Sequence, residues 1–233
     1  MLKKRAIRVE LSHTAVAEEI RSGGFDEVVI AAGAVPRALP IKSTGKIPVV
    51  LSGQVLSREV MPGKNVVVIG GGAVGCEVAQ YLADRGSLSA ELLKFLMKER
   101  AESIETITAL LNTSSRSVSI VEMAQKIGNG FDPGCAGPVL RDLKRLGVKK
   151  YTSSKVRELT DTEAVLETEG ESGPAELRIP CDTVVVCVGS ICNRGLYEAL
   201  AGSMEHVHII GDAEKIGKVM DAIRQAVDLA EAM

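Results

Sequence analysis

The chain has 233 residues, 45% of them hydrophobic and only 3% aromatic, with a formal net charge of −2 and a sequence pI near 6.0. That length and apolar content can bury one large core or two small ones, and the charge balance leaves no basic footprint for nucleic acid. No apolar run approaches the roughly 20 residues of a membrane span, and polar and acidic residues follow the basic first residues where a secretion signal needs an apolar stretch, so a cytoplasmic location is expected.

In chain order, Arg5–Leu11 alternates like a strand, Thr14–Ile20 has the pattern of a short helix, and Ser22-Gly23-Gly24 is a turn. Phe25–Gly33 reads as a buried strand that ends in small residues before Pro36. Small residues at a strand end let something bulky lie against the backbone. Pro40–Pro48, with Lys42, Ser43, Thr44 and Gly45, reads as a linker, and Ser52–Glu59 as a short helix ahead of Pro62-Gly63-Lys64.

The stretch Asn65–Arg85 is the most informative one. An apolar, β-branched run, Val66–Ile69, leads into Gly70-x-Gly72-x-x-Gly75, and a helical pattern through Ala73, Val74, Val78, Tyr81 and Leu82 follows. The glycine spacing is weak alone and gains weight between a buried strand and a helix. Gly70 permits the tight turn, Gly72 lets the backbone approach a pyrophosphate, and Gly75 lets the helix pack close to the strand. Unpaired N–H groups where Ala73 and Val74 open the helix, with the positive dipole end, then face an anion. A dinucleotide is the expected ligand; a glycine-rich turn that binds nothing is the alternative.

After Arg85 the second strand of a βαβ unit is delayed by an insertion at about residues 86–116. Its apolar residues Leu88, Leu92, Leu93 and Leu96, then Ile104, Ile107, Leu110 and Leu111, recur at helical spacing, with Ser103 a candidate N-cap and Asn112 a candidate stop. Two short helices that pack or form an interface are favoured over a lid. The delayed strand is Ser117–Met123. Glu122 ends it, where a Rossmann domain places the acid that binds the ribose 2′-OH. A carboxylate there repels a 2′-phosphate, so NADH is favoured over NADPH; Lys126 tempers the preference, and a solvated strand-end Glu is the alternative.

Gly128–Gly137 is turn-like, Val139–Leu146 fits a helix, and Gly147 stops it. Lys149–Thr168 and Glu176–Ile179 look like hairpin strands around Glu169–Pro174, and Thr183–Ser190 is a second buried strand, ending at Gly189. His208–Ala213 precedes a helical pattern through Val219, Met220, Ile223, Val227 and Leu229. His206 and His208 share one strand face without an evident third ligand, so no metal is expected. The five cysteines form no Cys-x-x-Cys pair, and Cys76, Cys181 and Cys187 sit in apolar patterns as small hydrophobes.

Several of these segments carry a family resemblance. Ala31-Ala32-Gly33-Ala34-x-Pro36-Arg37 resembles the Ala-Thr-Gly-x-x-Pro-Arg motif of the pyridine nucleotide–disulfide oxidoreductase superfamily, with alanine in place of threonine. There the motif borders FAD, which implies FAD contacts at Ala32 and Gly33. Val188–Asn193 resembles the superfamily's Ala-x-Gly-Arg-x-Pro-Asn return crossing, with Arg and Pro lost and Asn193 kept. Gly211-Asp212 is similar to the C-terminal Gly-Asp motif whose Asp binds the FAD ribityl chain; an Asp that only caps the next helix is the alternative. Glu77 corresponds to a glutamate near the nicotinamide and flavin in related reductases, or is a first-turn Glu favoured by the helix dipole.

In combination the chain resembles the C-terminal half of the NADH:flavin oxidoreductases of the 2-enoate and 2,4-dienoyl-CoA reductase type. The resemblance implies an α/β fold in which a Rossmann-like NAD-binding domain, residues 51–189, is inserted into an incomplete FAD-binding domain, residues 1–50 and 190–233. In those enzymes NADH reduces FAD, and electrons pass through an iron–sulfur cluster to FMN and an unsaturated acid or thioester. No Gly-x-Gly-x-x-Gly precedes Ala31, so the first βαβ unit of the FAD domain, the FMN barrel and the cluster cysteines are the expected missing partners, with a homo-oligomer left open. The implied role is a fragment for electron input that needs no catalytic acid, base or nucleophile of its own. A non-catalytic nucleotide-binding subunit, completed by another polypeptide, is the competing reading; the lack of Cys-x-x-Cys disfavours a disulfide reductase.

Overall fold

A computed structural model describes residues 7–132, 134–170 and 173–233. Arg5 and Ala6 of the expected first strand, Pro133 of the turn-like stretch, and Glu171 and Ser172 of the expected hairpin turn lie outside the described residues. The chain divides into two units, one made of the described residues up to Pro36 with Ser190–Met233, the other of Arg37–Gly189.

The first unit begins with α1 (Ala17–Ser22), β1 (Val28–Ile30) and β2 (Ala34–Pro36). The second holds β3 (Lys42–Ser43), β4 (Val49–Leu51), α2 (Ser52–Leu56), β5 (Asn65–Ile69), α3 (Ala73–Asp84), α4 (Ala90–Glu99), α5 (Ile104–Leu111), β6 (Ser117–Val121) and α6 (Ala136–Arg145). It continues through β7 (Lys149–Tyr151), β8 (Ser154–Leu159), β9 (Glu163–Gly170), β10 (Gly173–Pro180) and β11 (Thr183–Val186). The chain returns to the first unit with β12 (Ser190–Cys192), α7 (Gly195–Ala201), β13 (Val207–Ile209), a 3-10 turn at Gly211–Ala213 and α8 (Val219–Ala232).

The second unit is built on a five-stranded parallel sheet in the order β4-β11-β5-β6-β7. Its central strand β5 runs in register with β6 from Asn65 opposite Ser117 to Ile69 opposite Val121. A parallel strand covered on both faces has to be apolar throughout, and Val66, Val67 and Val68 are at most 1% exposed. Successive side chains point to opposite faces, so β5 feeds two cores. Val66 and Val68 pack with Cys76, Val78, Ala79 and Leu82 of α3 and Leu143 of α6; Val67 and Ile69 pack with Leu159, Ala164, Leu166 and Ile179. Each such side chain contributes about 1.5–3 kcal/mol by leaving water, so this strand anchors everything attached to its C-terminal end. The second core belongs to an antiparallel meander, β10-β9-β8, with β3 added parallel to β8.

Three expectations change in this unit. The stretch Pro40–Pro48 is no free linker: Lys42–Ser43 pairs with Glu158–Leu159, and Ile47 is buried. With Val49–Leu51 paired along Val184–Val186, the boundary expected at residue 50 moves to Pro36 and Arg37. Lys149–Thr168 is likewise divided. β7 joins the parallel sheet beside β6, Ser153 turns the chain at φ 47°, and β8 and β9 enter the meander.

The insertion forms α4 and α5 as expected. Its two ends meet, because Ser115 N–H donates to Gly86 O at 2.8 Å. The detour therefore leaves and rejoins the sheet at one point, which is how a βαβ unit tolerates it.

The first unit has little interior. β1 pairs parallel with β13 and β2 antiparallel with β12; among the described residues Val28, Ile30, Leu200 and Ala213 are buried, with Ile20, Leu196 and Tyr197 packed partly against the first three. α8 buries no residue. The strand expected over Arg5–Leu11 is not formed within the described residues Ile7–Leu11, and Ile7, Val9 and Leu11 are 48%, 53% and 83% exposed. The expected strand Phe25–Gly33 is confined to Val28–Ile30. Among the described residues, no helix is long and apolar enough to cross a membrane.

Candidate functional site

β5 ends at the glycine turn. Gly70 has φ 101° and donates its N–H to Val121 O at 2.9 Å; a Cβ there would lie 2.5 Å from Cys187 O. At Gly75 a Cβ would lie 1.9 Å from Gly70 O. The fold itself thus excludes a side chain at both positions. Gly72 differs: its φ of −67° suits any residue, and a Cβ would meet only Asn129 O, at 3.4 Å. Among the described residues, no contact demands glycine at 72.

Glu122 follows β6 and is held on both sides of its backbone, with N–H donating to Tyr151 O at 2.8 Å and C=O accepting from Ser154 N–H at 2.9 Å. Its carboxylate turns toward the glycines. Oε2 accepts the Gly71 N–H at 2.5 Å, and Oε1 accepts the Ala124 N–H at 2.8 Å. Glu122 is half-buried and tied to the turn, unlike a solvated strand-end acid.

The chain after Glu122 folds back onto the same turn. Gly128 N–H donates to Gly71 O at 2.6 Å, and Ala73 N–H donates to Asn129 O at 2.9 Å. This strap uses one of the N–H groups at the start of α3, and those of Val74 and Gly75 receive no acceptor from the helix, as in any first turn. Val74 is half-exposed and Glu77 exposed. Glu77 is the fifth residue of α3, beyond the first turn where a helix dipole favours an acid. Gly189 lies after β11 at φ 83° in open space, its O accepting from Arg37 N–H at 3.0 Å. Asn129 and Gly71 carried no signal in the motif; the strap's trace in the sequence is its glycines, of which Gly128 and Gly130 take φ of 89° and 91°.

Burial disfavours ionisation of three thiols in this unit, Cys76 and Cys187 beside the turn and Cys181 ahead of the start of β11. Burial raises the Cys76 pKa, and its Sγ donates to Gly71 O at 3.4 Å. Burial pushes Cys181 up to about 11 and Cys187 up to about 12.

In the first unit, Ala32 and Gly33 follow β1. Gly33 has φ 71° and open space where a Cβ would stand, and its O accepts from Asn193 N–H at 3.0 Å. Gly211, at φ 64°, donates its N–H to Gln225 Oε1 at 2.6 Å, and Gln225 Nε2 donates to Glu214 Oε2 at 2.7 Å. Asp212 Oδ1 accepts the Gly217 N–H at 3.1 Å. Lys218, not Asp212, is the N-cap residue of α8, so Asp212 is not a helix cap. His206 and His208 both face Glu27, at 3.9 and 2.8 Å. Glu10, His13 and Glu19 form an exposed group in which His13 lies 2.9 Å from Glu19.

Similar proteins place this geometry in a family. The chain is 37% identical over 232 residues to a metal reductase of Desulforamulus reducens, covering 97% of this chain and 34% of that protein. It is 31% identical over 234 residues to a cinnamate reductase of Clostridium sporogenes, covering 99% of this chain and 30% of that protein. Among solved structures, a complex of 2-naphthoyl-CoA reductase with 2-naphthoyl-CoA shares the fold, with a TM-score of 0.73 and 23% identity over 95% of this chain and 29% of that one. The chain therefore spans about a third of the length of these relatives. Residues 1–226 match the description pyridine nucleotide-disulphide oxidoreductase, and the chain belongs to that family.

Proposed function

We propose that the chain is the NADH-binding, electron-input module of a flavin-dependent oxidoreductase. The observation that carries this reading is Gly72: its neighbours in the motif are glycines for internal reasons, whereas at Gly72 the remaining use for a missing side chain is close approach by a bound group. A dinucleotide fits there. The N–H groups of Val74 and Gly75 would face the pyrophosphate. Glu122 would accept the ribose hydroxyls, since a carboxylate oxygen that accepts one N–H keeps capacity for another donor, and its charge would repel a 2′-phosphate. Ala73, Glu77 and Gly189 complete the proposed surface.

In the first unit, Ala32, Gly33, Gly211 and Asp212 would hold part of FAD, with Gly33 leaving room against its backbone. Bound NADH supplies a hydride and bound flavin accepts it; that chemistry belongs to the cofactors. We assign Arg37–Gly189 as the NAD domain and the other unit as part of an FAD domain. The scant core of that unit supports an FAD site that further polypeptide completes, whether the missing segments of a longer enzyme or a separate chain. Reduction of an enoate or enoyl thioester as the final step is supported by similarity to the cinnamate reductase. A cytoplasmic location belongs to the same reading.

Flavin content tests the proposal. The purified, folded chain is expected to show no stoichiometric FAD absorbance while it still quenches NADH fluorescence on binding. Stoichiometric FAD on this chain alone would contradict the incomplete flavin site, and no NADH binding would contradict the module.

A further inference from the structure

A cleft of about 370 Å³ in the first unit is lined by Val207, His208, Ile209 and Ile210, with Tyr197 of α7 on one wall and Asp228 of α8 on the other. Successive side chains of a strand point to opposite faces. A cleft that touches four consecutive residues therefore runs along the edge of β13, not over a face. The other edge is taken by β1, through Val28 N–H to His206 O and Ile210 N–H to Ile30 O, each 3.0 Å. Among the described residues, no strand pairs with the cleft side of β13. An open edge between two helices is a template for one more strand.

The same unit holds a strand-like segment that, among the described residues, joins no sheet. Ile7, Val9 and Leu11 alternate with Arg8 and Glu10, and all three apolar side chains are about half exposed or more. Five extended residues span roughly 16 Å, and the four-residue edge roughly 13 Å, so the lengths match. One charge matches too. Glu214 and Asp228 line the cleft with no Lys or Arg among its lining residues, and Arg8 of the segment, exposed and 2.5 Å from Glu10, can exchange that surface partner for Asp228.

We propose that Ile7–Leu11 of one copy adds as an edge strand to β13 of a second copy, with the return exchange closing a two-fold dimer. In that arrangement Arg8 sits over the Asp228 side of the cleft, and the apolar residues of the segment leave water against Tyr197 and Leu229. The proposal is independent of the nucleotide reading.

Sedimentation velocity between about 1 and 100 μM tests it, on four forms of the chain. The unaltered chain is expected to dimerise within this range. Val9→Pro, which removes an N–H from a segment outside every helix and strand, should weaken the dimer at least tenfold. Arg8→Asp and Asp228→Arg should each weaken it, and the double variant should recover most of the loss. A monomer at every concentration would overturn the proposal and leave the edge to a different polypeptide. So would a dimer that Val9→Pro leaves unchanged.

Discussion

The carboxylate of Glu122 accepts the backbone N–H of Gly71 at 2.5 Å, joining the end of β6 to the middle of the glycine turn that follows β5. One side chain thereby sets the turn's shape and places a negative charge beside it. Glu122→Ala removes the acceptor from two N–H groups, that of Ala124 included. A loss of about 1–3 kcal/mol in unfolding free energy is expected, together with a narrowed difference between NADH and NADPH affinity. Denaturant melts and paired titrations check the two effects separately.

The three motif glycines should respond differently to alanine. Gly75→Ala drives a methyl group to 1.9 Å from Gly70 O, and a loss of about 3 kcal/mol or more is expected from overpacking against backbone. Gly72→Ala meets only an ordinary contact. It should change stability by less than about 1 kcal/mol while lowering NADH affinity at least tenfold. Thermal melts alongside titrations separate the outcomes; equal destabilisation by both changes would show that the turn is purely structural.

Deleting the insertion should be tolerated. Ser115 N–H bonds to Gly86 O at 2.8 Å, so joining these residues by a short Gly-Ser link closes a gap that is already closed. α4 and α5 each bury a single residue, Leu96 and Ile107. The shortened chain is expected to lose helical circular dichroism and keep NADH affinity within about threefold, since loop closure depends weakly on length. Loss of NADH binding by a folded deletion would reassign the insertion to the nucleotide site.

Two thiols shielded from water, Cys181 buried and Cys187 partly so, give the pH dependence a sign. Folded-state values raised to about 11 for Cys181 and about 12 for Cys187, from a usual value of 9.0, favour the neutral thiol in the fold. Their contribution to stability is fully present below about pH 9 and is lost as pH rises through those folded values. The unfolding midpoint should fall between about pH 9 and pH 12, less steeply in Cys187→Ala. At pH 8, iodoacetamide should label exposed Cys135 and leave buried Cys76 and Cys181 unmodified in the folded chain, read by peptide mass spectrometry.

Much of the second unit was legible because its signals are local. The valine run of β5, the glycine turn and the apolar spacing of α3 lie within 21 consecutive residues, and the Ser103 cap appears as expected, accepting Thr106 N–H at 3.1 Å. The strap from Ala124 to Asn129 was not legible, because bonds between backbone groups leave no mark on residue type. Pro40–Pro48 looked like a linker for a related reason: Lys42 and Ser43 add to β8 through their backbone. Ile7–Leu11 shows the opposite limit. Alternation prescribes strand geometry, yet a strand forms only beside a partner, and period alone does not say where that partner is.

The central claim is that Gly72 and Glu122 form the site of an unphosphorylated nicotinamide dinucleotide. Isothermal titration of the intact chain with NADH and with NADPH, under one buffer and salt, tests it most directly. The account predicts saturable one-to-one binding of NADH, with NADPH at least tenfold weaker. Absence of NADH binding by the folded chain, or tighter binding of NADPH, would contradict it.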